Sequence, residues 1–342
     1  MASRKKDDRP VGILVTLPAG HVFDTFFPSE VRSRLESLGE VAWNGTGRGF
    51  GPEELAERLT GAEICITGWG APRFDAAVLR GADRLRLLAH TAGSVAGLVS
   101  PELYDRGIQV VSGNDVFAES VAESVVAYSL LALRRLPHWT REIQEGRWKT
   151  EDFLTEGLLD QTVGLVGFGA VARCLVPLLR PFRARIRAYD PFVPAAAMRD
   201  CGAEPAPLRE VVSGSRILSL HAPKRPETRH LIDADILRLV PDGAVFVNTA
   251  RGDLVDETAL AAQLSTGRFQ AVLDVFQKEP LPPESPLRGL PNVILVPHMA
   301  GPTTDRRRLA TLAVIEETER LLAGRPLEHP IGRAYAMAMT QS

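Results

Sequence analysis

Cysteine is scarce in this sequence: three in 342 residues. Cys65, Cys174 and Cys201 stand far apart in mostly apolar surroundings. They fit neither a metal-binding spacing nor a disulfide framework. No metal is expected, and a reducing compartment, the cytoplasm, suits such a chain. An excess of one charge sign is also missing. Forty Lys and Arg face 42 Asp and Glu, for a net charge of -2 and a sequence pI of about 6.4. That balance offers no field for a polyanion, so nucleic acid is not an expected partner. No segment approaches the eighteen or so uninterrupted apolar residues of a membrane span, and no membrane partner is expected. No apolar run of signal length follows MASRKKDDRP, so no leader is expected either. The cluster RKKDDR at residues 4–9 mixes signs and reads as a loose terminus. Repeats and low-complexity tracts are absent. What is present is apolar mass: 45% hydrophobic residues over this length can bury a sizeable core, and two domains are the natural division.

The chain alternates in two segments. In the first, VGILVTL, AEICIT, LRLLAH and IQVVS read as short buried strands. PSEVRSRLESLG, FDAAVLRGA and PELYDRG between them read as helical pieces. Strands and helices of these lengths imply a parallel sheet with crossover helices. The second segment opens with a long apolar helix in residues 118–148, which Pro137 should bend or restart. Six strand candidates follow: TVGLVGF, RIRAYD, SRILSLHA, GAVFVNTA, AVLDVF and VILVPH. They predict a larger doubly wound sheet. The last helical stretch, at residues 305–324, could pack on either domain.

The sharpest local motif is TVGLVGFGAVARCLVPLL, residues 162–179. A buried strand leads straight into Gly167, Phe168 and Gly169, and a helix follows. Gly167 suits a tight turn. Gly169 lets backbone approach a pyrophosphate, whose charge a helix N-terminus favours, and Ala172 permits close helix–strand packing. Such a triplet alone could be an ordinary turn. Here Asp190 ends the next strand, 23 residues after Gly167, where an acidic residue would take hydrogen bonds from an adenosine ribose. The combination points to a dinucleotide. A carboxylate there favours NAD over NADP, and no base follows directly in DPFVP.

Three polar residues stand just beyond strands of this segment: Arg251 after VFVNTA, Glu279 in DVFQKEP and His298 in VILVPH. Ligands of such sheets bind beyond the carboxyl ends of the strands. Singly, they could be a surface charge at a helix start, a turn residue before Pro280 and a strand-end histidine. Together the set has a chemistry. Histidine exchanges protons near neutral pH. A neighbouring carboxylate orients it and favours its charged form. Arginine offers a planar fork to a carboxylate. With a dinucleotide, these groups describe reversible oxidation of an alcohol next to a carboxylate.

These motifs, in this order, resemble the D-isomer-specific 2-hydroxyacid dehydrogenases. The resemblance runs through SVAESVVAYSLLALRR, GLVGFGAVA, HAPKRPETRHLID, NTARGDLVDETAL, VLDVFQKEP and NVILVPHMAG, and is weakest over the first 60 residues. It implies two Rossmann-like α/β domains with doubly wound parallel sheets. A substrate domain would occupy residues 1–115, completed by a C-terminal helix at about 303–330, and an NAD-binding domain would occupy residues 116–302. It implies an NAD-dependent hydride transfer between a D-2-hydroxy acid and a 2-keto acid, with water excluded by domain closure, in a homodimer. It gives His298 the substrate proton, Glu279 the tuning of His298, and Arg251 the substrate carboxylate. Asp274 would meet the nicotinamide carboxamide, and Ala170 and Val171 the pyrophosphate. Ala222 and Pro223 would lie near the adenosine, and Thr249 and Ala250 near the nicotinamide. The loop of Ala92, Gly93 and Ser94 would hold the substrate carboxylate through backbone N–H groups.

The chain departs from the family pattern in that loop. TAGSVAGL has Ala96 and Gly97 in place of an Asp–Asn pair, and Ser94 where a second glycine is common. Its shape bears on substrate identity, as do Trp69 and the final helix. His90 replaces a residue that is often basic or small. Pro302 stiffens the stretch after His298, and one residue is missing between STGRF and AVLDVF. Formate oxidation would call for an amide at position 279, where this chain has Glu279; phosphite oxidation is a further variant. An alternative of another class is an NAD-sensing corepressor that binds proteins. Turnover of NADH with a panel of 2-keto acids separates it from an enzyme.

Overall fold

The structure, a computed structural model, describes residues 9–149 and 153–340, so the mixed-charge cluster lies outside the described residues except for Arg9. The chain divides into two compact units. One runs to Phe117 and resumes at Thr303; the other is Ala118–Pro302.

The first unit starts with β1 (Gly12–Val15), α1 (His21–Phe26), α2 (Ser29–Glu36), β2 (Glu40–Trp43) and α3 (Pro52–Arg58). It continues with β3 (Ile64–Thr67), β4 (Leu87–His90), α4 (Pro101–Asp105) and β5 (Gln109–Ser112). All pairings are parallel, in the order β2-β1-β3-β4-β5. β3 and β4 are buried along their whole length, as strands covered on both faces must be, which is why they read as unbroken apolar runs. β2 was not expected from the sequence. It is an edge strand, paired to β1 alone, and its apolar part, Val41–Trp43, is only three residues long and nowhere fully buried. FDAAVLRGA, expected as a short helix, gives only a four-residue 3-10 turn, Val78–Gly81. Asp75 takes the Ala77 and Val78 amides at its start. At its end Gly81 presses on the Ala56 carbonyl, where a Cβ would lie 1.5 Å away.

The next elements are α5 (Asn114–Leu133) and α6 (Leu136–Gln144). α5 starts four residues before the expected point. Arg135, at φ 51°, separates the two helices, and Pro137 in the first turn of α6 restarts the chain as expected. By length and composition α5 could cross a membrane. A core helix meets the same description, and Ala122, Val125, Ala132 and Leu133 pack in the core of the second unit.

That unit follows with β6 (Thr162–Val166), α7 (Ala170–Leu179), β7 (Arg185–Tyr189), α8 (Ala195–Cys201), β8 (Glu204–Pro205) and α9 (Leu208–Ser213). It ends with β9 (Ile217–Leu220), α10 (Ala234–Leu237), β10 (Val245–Asn248), α11 (Glu257–Ser265), β11 (Gln270–Leu273) and β12 (Val293–Leu295). Seven parallel strands run β12-β11-β10-β9-β6-β7-β8. The six expected strands are all present. The seventh, β8, is a two-residue edge piece too short to leave a sequence signal. Strand order reverses beside β6, which makes the carboxyl end of β6 the switch point where ligands of such sheets bind. One apolar cluster covers each sheet face, around Phe246 and Leu220 on one side and Leu165 and Val247 on the other. α12 (Thr304–Leu322) and α13 (Arg333–Ala338) complete the first unit.

Candidate active site

The switch point carries the glycine motif. Gly167 sits at φ +96°, and a Cβ there would lie 2.5 Å from the Ala222 nitrogen and 2.6 Å from the His221 carbonyl carbon. Only glycine meets both demands. Nothing lies within 4 Å of a Cβ built on Gly169, so backbone at that point is open to a ligand. Gly169 caps α7 without a side-chain hydrogen bond, and Ala170 and Val171 form its first turn, whose amides have no acceptor within the helix. The site therefore has room and donors for a pyrophosphate. Asp190 ends β7. Its Oδ2 accepts from the Phe168 amide at 2.8 Å, and its Oδ1 from the amides of Phe192 and Val193. This pins the glycine loop and leaves the carboxylate further lone pairs for ribose hydroxyls.

The next strands bring up the three polar groups singled out in the sequence. Arg251 lies in extended backbone just past β10. Its placement depends on Asn248, buried at the end of that strand. Asn248 Nδ2 donates to the Arg251 carbonyl at 3.0 Å, and its Oδ1 accepts from the Ala250 amide at 3.1 Å. The half-buried guanidinium donates to the Ala250 carbonyl and makes no ion pair among the described residues. Burial lowers its pKa, and the charge of Glu279 works the other way; arginine stays protonated regardless. Gly252 then packs flat on the Phe276–Gln277 peptide. Phe276 in turn donates its amide to Glu279 Oε1 at 3.0 Å. The Arg251 and Glu279 loops are thus packed backbone to backbone.

His298 follows β12, with Nδ1 2.6 Å from Glu279 Oε2. A carboxylate only accepts, so Nδ1 carries the proton and Nε2 is the nitrogen available for exchange with a ligand. Half of the His298 side chain is exposed, which leaves that nitrogen within reach. Asp274, buried just past β11, takes the Met299 amide on Oδ1 at 2.8 Å and the Ala300 amide on Oδ2 at 3.1 Å. Its carbonyl accepts from the His298 amide at 2.9 Å. Burial raises the Asp274 pKa, opposed first by those two side-chain-bound amides. Thr249, also buried, has no hydrogen-bond partner for Oγ1 among the described residues.

The profile of "D-isomer specific 2-hydroxyacid dehydrogenase, NAD binding domain" matches residues 126–300, which hold every residue of this site. The chain belongs to that family. A glyoxylate reductase of Korarchaeum cryptofilum is 34% identical over 282 residues, 81% of this chain and 83% of its own length. A D-3-phosphoglycerate dehydrogenase of Methanocaldococcus jannaschii is 31% identical over 299 residues, 87% of this chain. The chain spans only 56% of that relative's length. Among solved structures, a phosphoglycerate oxidoreductase of Rhizobium etli superposes with a TM-score of 0.81 at 29% identity, covering 95% of this chain and 99% of its own.

The family's NAD-binding unit thus gathers Arg251, Glu279, His298 and Asp274 at the ends of neighbouring strands. Ala222 and Pro223 follow β9, and Ala222 meets Gly167. The Ala250 amide is already committed to Asn248. Ala92, Gly93 and Ser94 lie in the other unit, past β4. Ser94 Oγ donates to the Thr340 carbonyl at 2.6 Å, so its hydroxyl is spent within that unit. His90 is buried beside the Thr67 hydroxyl, and burial pushes its pKa down to about 4, the mark of a neutral core histidine. Sequence reasoning assigned no role to Asn248 or Gly252. A polar residue closing the buried run VFVN was the available signal for the first. Nothing local marked the second.

Proposed function

We propose that this chain is an NAD-dependent oxidoreductase interconverting D-2-hydroxy acids and 2-keto acids. The observation that carries the reading is the His298–Glu279 hydrogen bond of 2.6 Å beside Arg251, in a unit whose switch point bears the glycine loop. NAD(H), when bound, would supply the hydride acceptor or donor. His298 Nε2 takes the hydroxyl proton during oxidation and returns it during reduction. Glu279 fixes the ring through Nδ1. Arg251 holds the substrate carboxylate through its fork. In the first unit, Ala92, Gly93 and Ser94 would offer a carboxylate their backbone amides, because the Ser94 hydroxyl is engaged. Thr249 and Ala250 would approach the nicotinamide, and Asp274 would meet its carboxamide. Three free cysteines agree with a reducing compartment, the cytoplasm. NADH oxidation with a panel of 2-keto acids tests the reading, and no turnover with any of them would sink it.

The cofactor is NAD(H) rather than NADP(H), because Asp190 would meet the ribose, where a 2'-phosphate would face its carboxylate, and the exposed Phe192 nearby brings no positive charge. kcat/KM with NADH should exceed that with NADPH at least tenfold, about 1.4 kcal/mol of discrimination. Asp190→Ala should narrow the gap; equal use by the wild-type protein would refute the preference.

The protein is a homodimer. Leu136 and Ile143 on α6 and Trp148 beyond it stay exposed, an apolar surface of the kind that interfaces cover. Sedimentation equilibrium should give twice the chain mass at micromolar concentration, and a monomer alone would overturn the assignment.

A further inference from the structure

We propose that Tyr128, assisted by Ser124, is a positioning residue that latches the loop carrying His298. The inference rests on His298 being the proton-transfer group. His298 is held at φ +49°, a left-handed backbone conformation that costs a non-glycine residue free energy and persists where its surroundings fix it. The fixing groups come from two elements. From the end of β11, Asp274 binds the backbone amides of His298, Met299 and Ala300. From α5, Ser124 and Tyr128 lie one turn apart on one face. Ser124 Oγ donates to the Ala300 carbonyl at 3.1 Å, and the Tyr128 hydroxyl donates to Asp274 Oδ1 at 3.4 Å. The tyrosine hydroxyl thus supports the carboxylate that organises the loop. For packing alone, the aromatic ring would suffice.

The contact has a direction in pH. Burial favours the neutral form of Asp274; the loop amides, the charge of His298 and the Tyr128 hydroxyl favour its anion. Among the described residues, Tyr128 and His298 are the titratable groups that act on Asp274 from the elements around it. β10 and β12 on either side present only Val245–Asn248 and Val293–Leu295. The pKa of Tyr128 is itself pushed up to about 12, chiefly by burial and then by Asp274, so it remains a donor at any working pH. Without that hydroxyl, Asp274 takes up a proton at a higher pH. A protonated carboxyl holds the two amides more weakly, and His298 loses its fixed position as pH falls.

Tyr128→Phe, Ser124→Ala and His298→Ala would be compared with wild type in NADH-dependent keto-acid reduction across acid and neutral pH, with thermal melting of each. Tyr128→Phe should melt near the wild-type temperature and lower kcat about tenfold, inside the hundredfold that slight misplacement of a catalytic group can cost. KM for the keto acid should hold, since Arg251 is untouched. The acid limb of the rate profile should move to higher pH. Ser124→Ala should lower kcat in the same direction by less, without moving that limb. A Tyr128→Phe variant with the wild-type rate and profile refutes the latch. So does a loss equal at every pH and accompanied by a lower melting temperature, which is a packing defect. In both cases an inactive His298→Ala leaves the proton-transfer role of His298 standing. An active His298→Ala removes that role, and the latch with it.

Discussion

His298→Ala should leave NADH binding nearly intact and slow keto-acid reduction by roughly 10² to 10⁴, the usual worth of a positioned general acid. The side chain is half exposed and its ring contact is to Glu279, so little packing is lost on truncation. The glycine loop and Asp190 lie at β6 and β7, where the substitution changes nothing. Glu279→Gln should behave differently. An amide still accepts from Nδ1 but carries no charge. The ring keeps its orientation and loses the charge beside it, so reduction should slow by less than in His298→Ala. Steady-state rates against pH, with NADH binding measured by fluorescence, separate the two. A His298→Ala protein that binds NADH and turns over at the wild-type rate would show that the proton comes from elsewhere.

Gly252→Ala should be the most damaging small substitution in the site. A Cβ at this position would lie 1.9 Å from the Phe276 carbonyl carbon and 2.2 Å from the Gln277 nitrogen. Both are backbone atoms, so no rotamer change relieves the overlap. The two loops must separate, and they carry Arg251 and Glu279. Overpacking of this kind costs about 1–3 kcal/mol of stability and sometimes more. Moving a catalytic group by about 1 Å can cost a hundredfold in rate. The expected result is a lower melting temperature together with a loss of kcat/KM near that size. A variant with wild-type stability and turnover would mean that the loops are not packed as described.

How much of this was legible in the sequence follows from how each element is held. Strands buried on both faces, such as β3, β4, β9 and β10, write themselves as apolar runs. β2 and β8 are edge pieces with one neighbour each and leave no such run. The glycine loop, Asp190, Arg251, Glu279 and His298 could be placed past strand ends, because each follows a buried apolar run in the sequence. Their supports could not. Asn248 acts on backbone three residues away, and Gly252 matters for what it lacks. Ser124 and Tyr128 touch residues 176 and 146 positions distant, a relation that no local pattern records. The 3-10 turn at Val78–Gly81 was misread for the same reason, since the Ala56 carbonyl that limits it is remote in sequence.

α12 gives the chain an order of assembly. The helix buries Ala310, Val314 and Ile315 in the cluster that holds Phe26 and Leu35 of the first unit. Arg34 clasps Glu319 through Nε and Nη2, and Gly113 leaves Ala310 the space that a Cβ would take. On the ribosome, the first sheet emerges long before this cover. The whole stretch Ala118–Pro302 must be translated in between, which at ordinary elongation rates takes on the order of ten seconds. The nascent chain therefore carries one bare apolar face while its contiguous middle can already fold. A chaperone that shields Phe26 and Leu35 during that interval would cover the face that α12 later takes.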